Sequence, residues 1–188
     1  MNKEGNTMKS AFKKEILSLL KLFLLMLIIV FICQQFLFTP VAVKGESMSP
    51  TFENKDRLII DKVSSIDRFD VVVFHAPDVD KQYIKRVIGV PGDHLEMKDD
   101  VLYVNGDAYD EPYVNKGNDH ILYYKVTEDF TLEKYTGQKV IPNGYYFVLG
   151  DNRWKSNDSR NFGLIPDESI IGKVQFRIFP LENMGIPD

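Results

Sequence analysis

The sequence predicts a mostly β domain behind one N-terminal transmembrane helix. Three observations carry that expectation. A lysine-rich start runs into one long apolar stretch. Short segments rich in β-branched residues, punctuated by Gly, Pro, Asn and Asp, fill the rest of the chain. Beyond the apolar stretch nothing repeats over a long span with the 3.6-residue period of an amphipathic helix.

The 188 residues suit one domain with an appendage, and 44% hydrophobic with 12% aromatic content is ample for a packed core. A net charge of −4 argues against a nucleic-acid partner, because phosphate binding needs a basic surface. The single cysteine, Cys33, excludes an intrachain disulfide and any cysteine-rich zinc module. His75, His94 and His120 share no short metal-ligand spacing, and no metal or other cofactor is expected.

The apolar stretch reads as an anchor. Before it, Lys3, Lys9, Lys13, Lys14 and Lys21 stand against Glu4 and Glu15, so residues 1–21 carry +3 and the remainder −7. Residues 22–33 are unbroken apolar; Ile16, Leu17, Leu19 and Leu20 extend the run upstream, and Phe36, Leu37 and Phe38 resume it after Gln34 and Gln35. A helix over residues 16–38 would be about 34 Å long, enough for a bilayer core of about 30 Å. Lys21 can snorkel to the headgroups. The basic flank places residues 1–15 in the cytoplasm and residues 39–188 outside the membrane. A cleaved signal peptide is the rival reading, but it needs a shorter apolar part and a small-residue cut site, which Pro40-Val41-Ala42 matches poorly.

Beyond Thr39-Pro40, strands are expected at residues 41–43, 57–60, 71–74, 83–90 and 101–104. The last runs into Asn105-Gly106, a favourable hairpin turn. Residues 145–149 and 170–179 supply two more. The polar, tyrosine-rich stretch from 115 to 137 reads as an irregular excursion or hairpin, and there is no internal repeat.

Gly45-Glu46-Ser47-Met48-Ser49-Pro50-Thr51 is either an ordinary loop or a nucleophile on a glycine-shaped turn. A serine hydroxyl needs a base. The segment nearly fits a G-x-S-x-G elbow, but Ser49 replaces the second glycine and no strand-to-helix transition follows. His75 and His94 read as strand-end or surface residues. Lys85, within an otherwise apolar strand, is better placed. An exposed lysine has a pKa near 10.4, leaving only a few in ten thousand neutral at pH 7, whereas burial can lower it by about 3 units or more. The alternative is a strand lysine pointing to water beside Arg86. A third cluster, residues 150–160, places dense polar groups directly after an apolar strand, at the rim of a site or as a turn tied by Asp–Arg pairs.

The order of an anchor, Ser47-Met48-x-Pro50-Thr51, then Arg68-x-Asp70-x-Val72-Val73-Phe74, then Lys85-Arg86-Val87-x-Gly89-x-Pro91-Gly92-Asp93, then Gly150-Asp151-Asn152-Arg153-x-x-Ser156-x-Asp158-Ser159-Arg160 resembles the bacterial type I signal peptidases. It is most similar to their short, single-anchor Ser/Lys form, over roughly residues 17–180. The resemblance implies that Ser47 attacks the scissile carbonyl and that Lys85 is general base, then general acid. It implies that Ser156 orients Lys85, that Asp151 pairs with Arg86, and that Asp158 with Arg160 forms a second supporting pair. The Ser47 N–H would be one oxyanion donor. Some relatives supply a second from a serine two residues earlier, where this chain has Gly45. Either a backbone group substitutes, or the hole has one donor fewer, costing about 3 kcal/mol. Val41, Val43, Leu58, Val73 and Ile84, with Met48 and Tyr83, would line shallow pockets that admit small residues before the cut. The implied partners are signal peptides of exported preproteins, the lipid bilayer and the Sec translocation channel, in a bacterial cell membrane. Two competing readings remain: an anchored Ser/His hydrolase, and an anchored non-catalytic module that binds signal peptides or regulates a peptidase.

Overall fold

A computed structural model describes residues 3–114 and 125–187; its side chains are described from residue 13 onward, those of 32–36 excepted. The chain divides into two compact units, Met1–Thr39 and Pro40–Asp188.

The first unit is built on α1, Lys3–Phe36, which reaches back through the basic residues. The expected helix over 16–38 is two residues too long at its end, because Phe38 opens β1 (Phe38–Ala42) instead. Pro40 supplies the reason: the residue before a proline is driven out of helical dihedrals, and β-branched Thr39 occupies that position. From Ile16 to Phe31 the large apolar side chains of α1 lie open along its length. The described side chains begin with Lys13, Lys14 and Glu15 and include Lys21, and among the described residues no helix is long and apolar enough to cross a membrane.

The second unit is mostly β, as expected. Its remaining strands are β2 (Arg57–Asp61), β3 (Val71–His75), β4 (Gln82–Gly89), β5 (Leu95–Lys98), β6 (Val101–Val104), β7 (Asp107–Tyr109), β8 (Phe130–Thr131), β9 (Tyr145–Leu149), β10 (Ile165–Pro166) and β11 (Ile170–Phe179). A seven-stranded sheet runs in the order β1-β2-β11-β3-β4-β9-β10, and a four-stranded sheet in the order β7-β6-β5-β8. The hairpin at Asn105-Gly106 forms: Val104 pairs with Asp107, and both loop residues take positive φ (55° and 91°), the geometry that Asn-Gly suits.

Several elements were not expected. Leu95–Lys98 buries Leu95 and Met97 and exposes Glu96 and Lys98, a clean two-residue alternation. Its composition hides it, because Leu, Glu, Met and Lys all favour helices and four residues are too few to outweigh that preference. The 115–137 excursion lies outside the described residues as far as 124. From there it contributes β8 and a short helix α2 (Leu132–Thr136), capped by Thr131, whose hydroxyl accepts from the Lys134 N–H. A further short helix, α3 (Ser159–Phe162), starts at Asp158 in the same way.

The largest apolar cluster joins the small sheet to the large one: Leu95, Met97, Leu102 and Val104 pack with Ile88, Phe147 and Leu149. β4 therefore lies between β3 and β9 in the large sheet with its second half locked into this core. Strand β4 carries the lysine on which the site turns.

Candidate active site

Lys85 sits opposite Val72 in the β3–β4 ladder and is only 3% exposed. Its Nζ donates to the Ile84 carbonyl at 3.0 Å, lies 5.2 Å over the Tyr83 ring, and stands 2.7 Å from Ser47 Oγ. Burial lowers the amine to about 8, against the carboxylates of Asp158, Asp151 and Asp78, which favour the charged form. An amine lowered toward neutrality and bonded to a hydroxyl is a base placed to take that proton.

Ser47 is held by the buried apolar residues that follow it in its turn. Met48 and Phe52 are buried, and the Phe52 N–H bonds the Met48 carbonyl at 2.9 Å. Burial of Met48 and Phe52 fixes the backbone while Ser47 stays half-buried at the surface of the cluster. The Ser47 carbonyl accepts from the Asn152 N–H at 3.0 Å, so the loop after β9 grips the Ser47 backbone. Gly150 makes this approach possible: a Cβ there would lie 2.5 Å from the Ser47 carbonyl oxygen and 2.2 Å from Ser156 Oγ. The Gly45 N–H donates to Asn54 Oδ1 at 3.2 Å, and glycine brings no hydroxyl to this position.

The supporting pairs form as the resemblance implies. Arg86 and Asp151 make a fork of 3.0 and 2.8 Å with both side chains essentially out of solvent. Asp151 also accepts from the Thr51 hydroxyl at 2.6 Å, which ties the loop after β9 to the Ser47 turn. Asp158 takes two bonds of 2.8 Å from Arg160 and a third from the Gly150 N–H at 3.1 Å. Ser156 departs from expectation. Its Oγ is buried beside Gly150 but bonds to nothing among the described residues, so no hydrogen bond to Lys85 is formed.

The expected pocket residues come together with one exception. Val43, Met48 and Leu58 are buried in one cluster, with Val41 and Ile84 packed against it, and Val73 pairs with Ile84 across β3–β4. Tyr83 points to the opposite face of β4 from Ile84, because strand side chains alternate, and stacks on Phe74 and Phe162. It meets the site through Lys85 instead. His75 and His94 are exposed, and His120 lies outside the described residues. Among the described residues no cluster of His, Cys, Asp or Glu is arranged to hold a metal ion.

Sequence reasoning assigned no role to Glu111, Tyr113 or Arg153. Arg153 is fully buried, forks onto Glu111 and donates through Nε to the Gly150 carbonyl at 3.1 Å, while the Tyr113 hydroxyl bonds Glu111 at 2.9 Å. Arg153 stood in view within a polar loop, but no local pattern marks an acid 42 positions upstream as its partner.

The signal peptidase, peptidase S26 family matches residues 16–179. The chain is 47% identical over 154 residues to signal peptidase I of Bacillus caldolyticus, covering 80% of this chain and 84% of that protein. It is 45% identical over 176 residues to signal peptidase IB of Staphylococcus aureus (strain COL), covering 89% and 92%. Among solved structures, a signal peptidase I from Enterococcus faecalis V583 aligns with a TM-score of 0.56 at 41% identity, over 59% of this chain and 97% of that one. With the ordered sequence blocks meeting around one serine and one buried lysine, and relatives of this identity spanning nearly its whole length, the chain belongs to the signal peptidase (peptidase S26) family.

Proposed function

We propose that Ser47 is the nucleophile and Lys85 the general base of this signal peptidase, a serine endopeptidase that removes signal peptides from preproteins. The 2.7 Å approach of Lys85 Nζ to Ser47 Oγ carries the assignment. The neutral amine accepts the hydroxyl proton as Oγ attacks the scissile carbonyl, and the Ser47 N–H faces the developing oxyanion. The Lys85 ammonium then protonates the departing amine. The acyl-enzyme is hydrolysed by a water from which Lys85 takes a proton, and that proton returns to Ser47 Oγ as the ester breaks. Arg86, Asp151, Asp158 and Arg160 position the pair and do not touch substrate. Ser156 Oγ, buried beside Gly150 and without a partner among the described residues, is left available to orient Lys85 during the reaction.

The apolar cluster of Val41, Val43, Met48, Leu58, Val73 and Ile84 supports a shallow pocket for the residues one and three before the cut. Small side chains fit; bulky or charged ones meet overlap or desolvation. Purified protein in detergent is therefore expected to cleave a preprotein with alanine at both positions. Phenylalanine in place of the alanine directly before the cut should lower kcat/KM by about a hundredfold. Equal cleavage of the two substrates would overturn this pocket.

Residues 16–38 anchor the enzyme in the cell membrane, with residues 1–15 cytoplasmic and the domain from residue 39 outside. The apolar run, its lysine-rich flank and the helix from Lys3 to Phe36 support this reading. At about 3.3 Å per residue, Ser47 lies at most about 30 Å of chain from Thr39, where a preprotein leaving the Sec channel presents its cut site. The paired hydroxyl and lowered amine favour catalysis over a non-catalytic binding module.

A further inference from the structure

Among the described residues, the most deeply buried ion pair outside the reacting pair and its supports joins Glu111 and Arg153, 5% and 0% exposed at their side chains, by a two-point fork. Removing two charges from water is costly, and such a pair is retained where its geometry specifies something. The pair is tied to its surroundings on both sides. Arg153 Nη1 also reaches the Thr127 hydroxyl at 3.2 Å, and its Nε reaches the Gly150 carbonyl at 3.1 Å. On the other side, the Tyr113 hydroxyl donates to Glu111 at 2.9 Å, and the Tyr113 ring lies 4.0 Å beneath the Arg86 guanidinium.

Gly150 is the residue whose lack of a side chain lets the Ser47 turn approach, and Asn152 two positions on holds the Ser47 carbonyl. We infer that Glu111 is a positioning residue for the reaction: through Arg153 it holds the Gly150 carbonyl, and with it the turn that sets Ser47 against Lys85. Without the carboxylate, Arg153 becomes a buried cation with no counter-charge and leaves for solvent. Gly150 and Asn152 relax with it. The residue touches no substrate, so its loss affects the reaction step and not substrate binding. The inference rests on Ser47 and Lys85 being the reacting pair.

The test is kcat and KM for the full chain in detergent, on a preprotein with a small-x-small site, together with thermal melting. The variants are Glu111→Ala, Arg153→Ala, the double variant, Tyr113→Phe and Lys85→Ala. Glu111→Ala is expected to lower kcat by about tenfold to a hundredfold, the cost of misplacing reacting atoms by about 1 Å, with KM within about twofold. The double variant should be no slower than Arg153→Ala, because the two side chains act as a unit. If Glu111→Ala fails to fold, Tyr113→Phe decides: it keeps the ion pair, loses one bond to Glu111, and should lower kcat by about threefold at unchanged KM. Folded variants with wild-type kcat, however much lower their melting temperatures, would overturn the inference, as would losses that multiply in the double variant. Wild-type cleavage by Lys85→Ala would overturn the reacting pair itself. An inactive Lys85→Ala beside a fully active Glu111→Ala would overturn only the role of Glu111.

Discussion

Lys85→Ala and Ser47→Ala are each expected to lower kcat/KM for preprotein cleavage by at least about 10⁴-fold, with the fold intact. A positioned general base alone contributes about 10² to 10⁴, and removing the nucleophile removes the covalent route altogether. The two groups share one proton transfer, so Ser47→Ala/Lys85→Ala should be no slower than either single variant. Lys85→Ala is not expected to unfold the domain. Holding this amine near 8 instead of 10.5 costs the native state about 3 kcal/mol at neutral pH. The sign follows from proton counting: between about pH 8 and 10.5 the unfolded chain binds the proton that the folded chain has lost, so wild-type stability rises with pH across that window. Lys85→Ala should lack this rise. Denaturant melts at pH 7 and pH 10 measure it directly.

Asp151→Ala is expected to cost about 3 to 5 kcal/mol of folding stability. The carboxylate is fully buried, accepts both prongs of Arg86 and takes the Thr51 hydroxyl. Removing it leaves the Arg86 charge uncompensated in the interior and frees the Ser47 turn from the loop after β9. Urea titration should show a lower midpoint at an unchanged slope. Lys155→Ala is the internal control. Its pair with Glu46 is more than half exposed on both sides, and its loss should move stability by less than about 1 kcal/mol. Equal effects from the two variants would contradict the weight placed on burial.

The β character of the second unit was legible because Val71–His75, Tyr145–Leu149 and Ile170–Phe179 are dense in β-branched and aromatic residues between turn formers. Asn105-Gly106 named its own turn. Leu95–Lys98 was not legible, because its residue types favour a helix and only pairing with β6 and β8 makes it a strand. The end of α1 was missed by two residues, since hydrophobicity continues through Phe38 while the dihedral restriction ahead of Pro40 does not permit a helix there.

At the site, Ser47, Lys85, Arg86, Asp151, Asp158 and Arg160 were readable from ordered blocks, and the structure brings them together. Three things were not readable. Whether Ser156 bonds Lys85 depends on a rotamer set by packing beside Gly150. Which face of β4 carries Tyr83 depends on register, and one residue's step reverses it. Glu111 reaches Arg153 only through the docking of the small sheet on the large one, a long-range event with no local signature.

The central claim is that burial lowers the Lys85 amine beside Ser47 to about 8, so that a usable fraction is neutral near physiological pH. NMR titration of ε-carbon-labelled lysines, with Lys85 assigned by the signal missing from Lys85→Ala, measures it most directly. The midpoint for Lys85 is expected at about 8. A midpoint at or above about 10.4, the value of a lysine in water, would contradict the account.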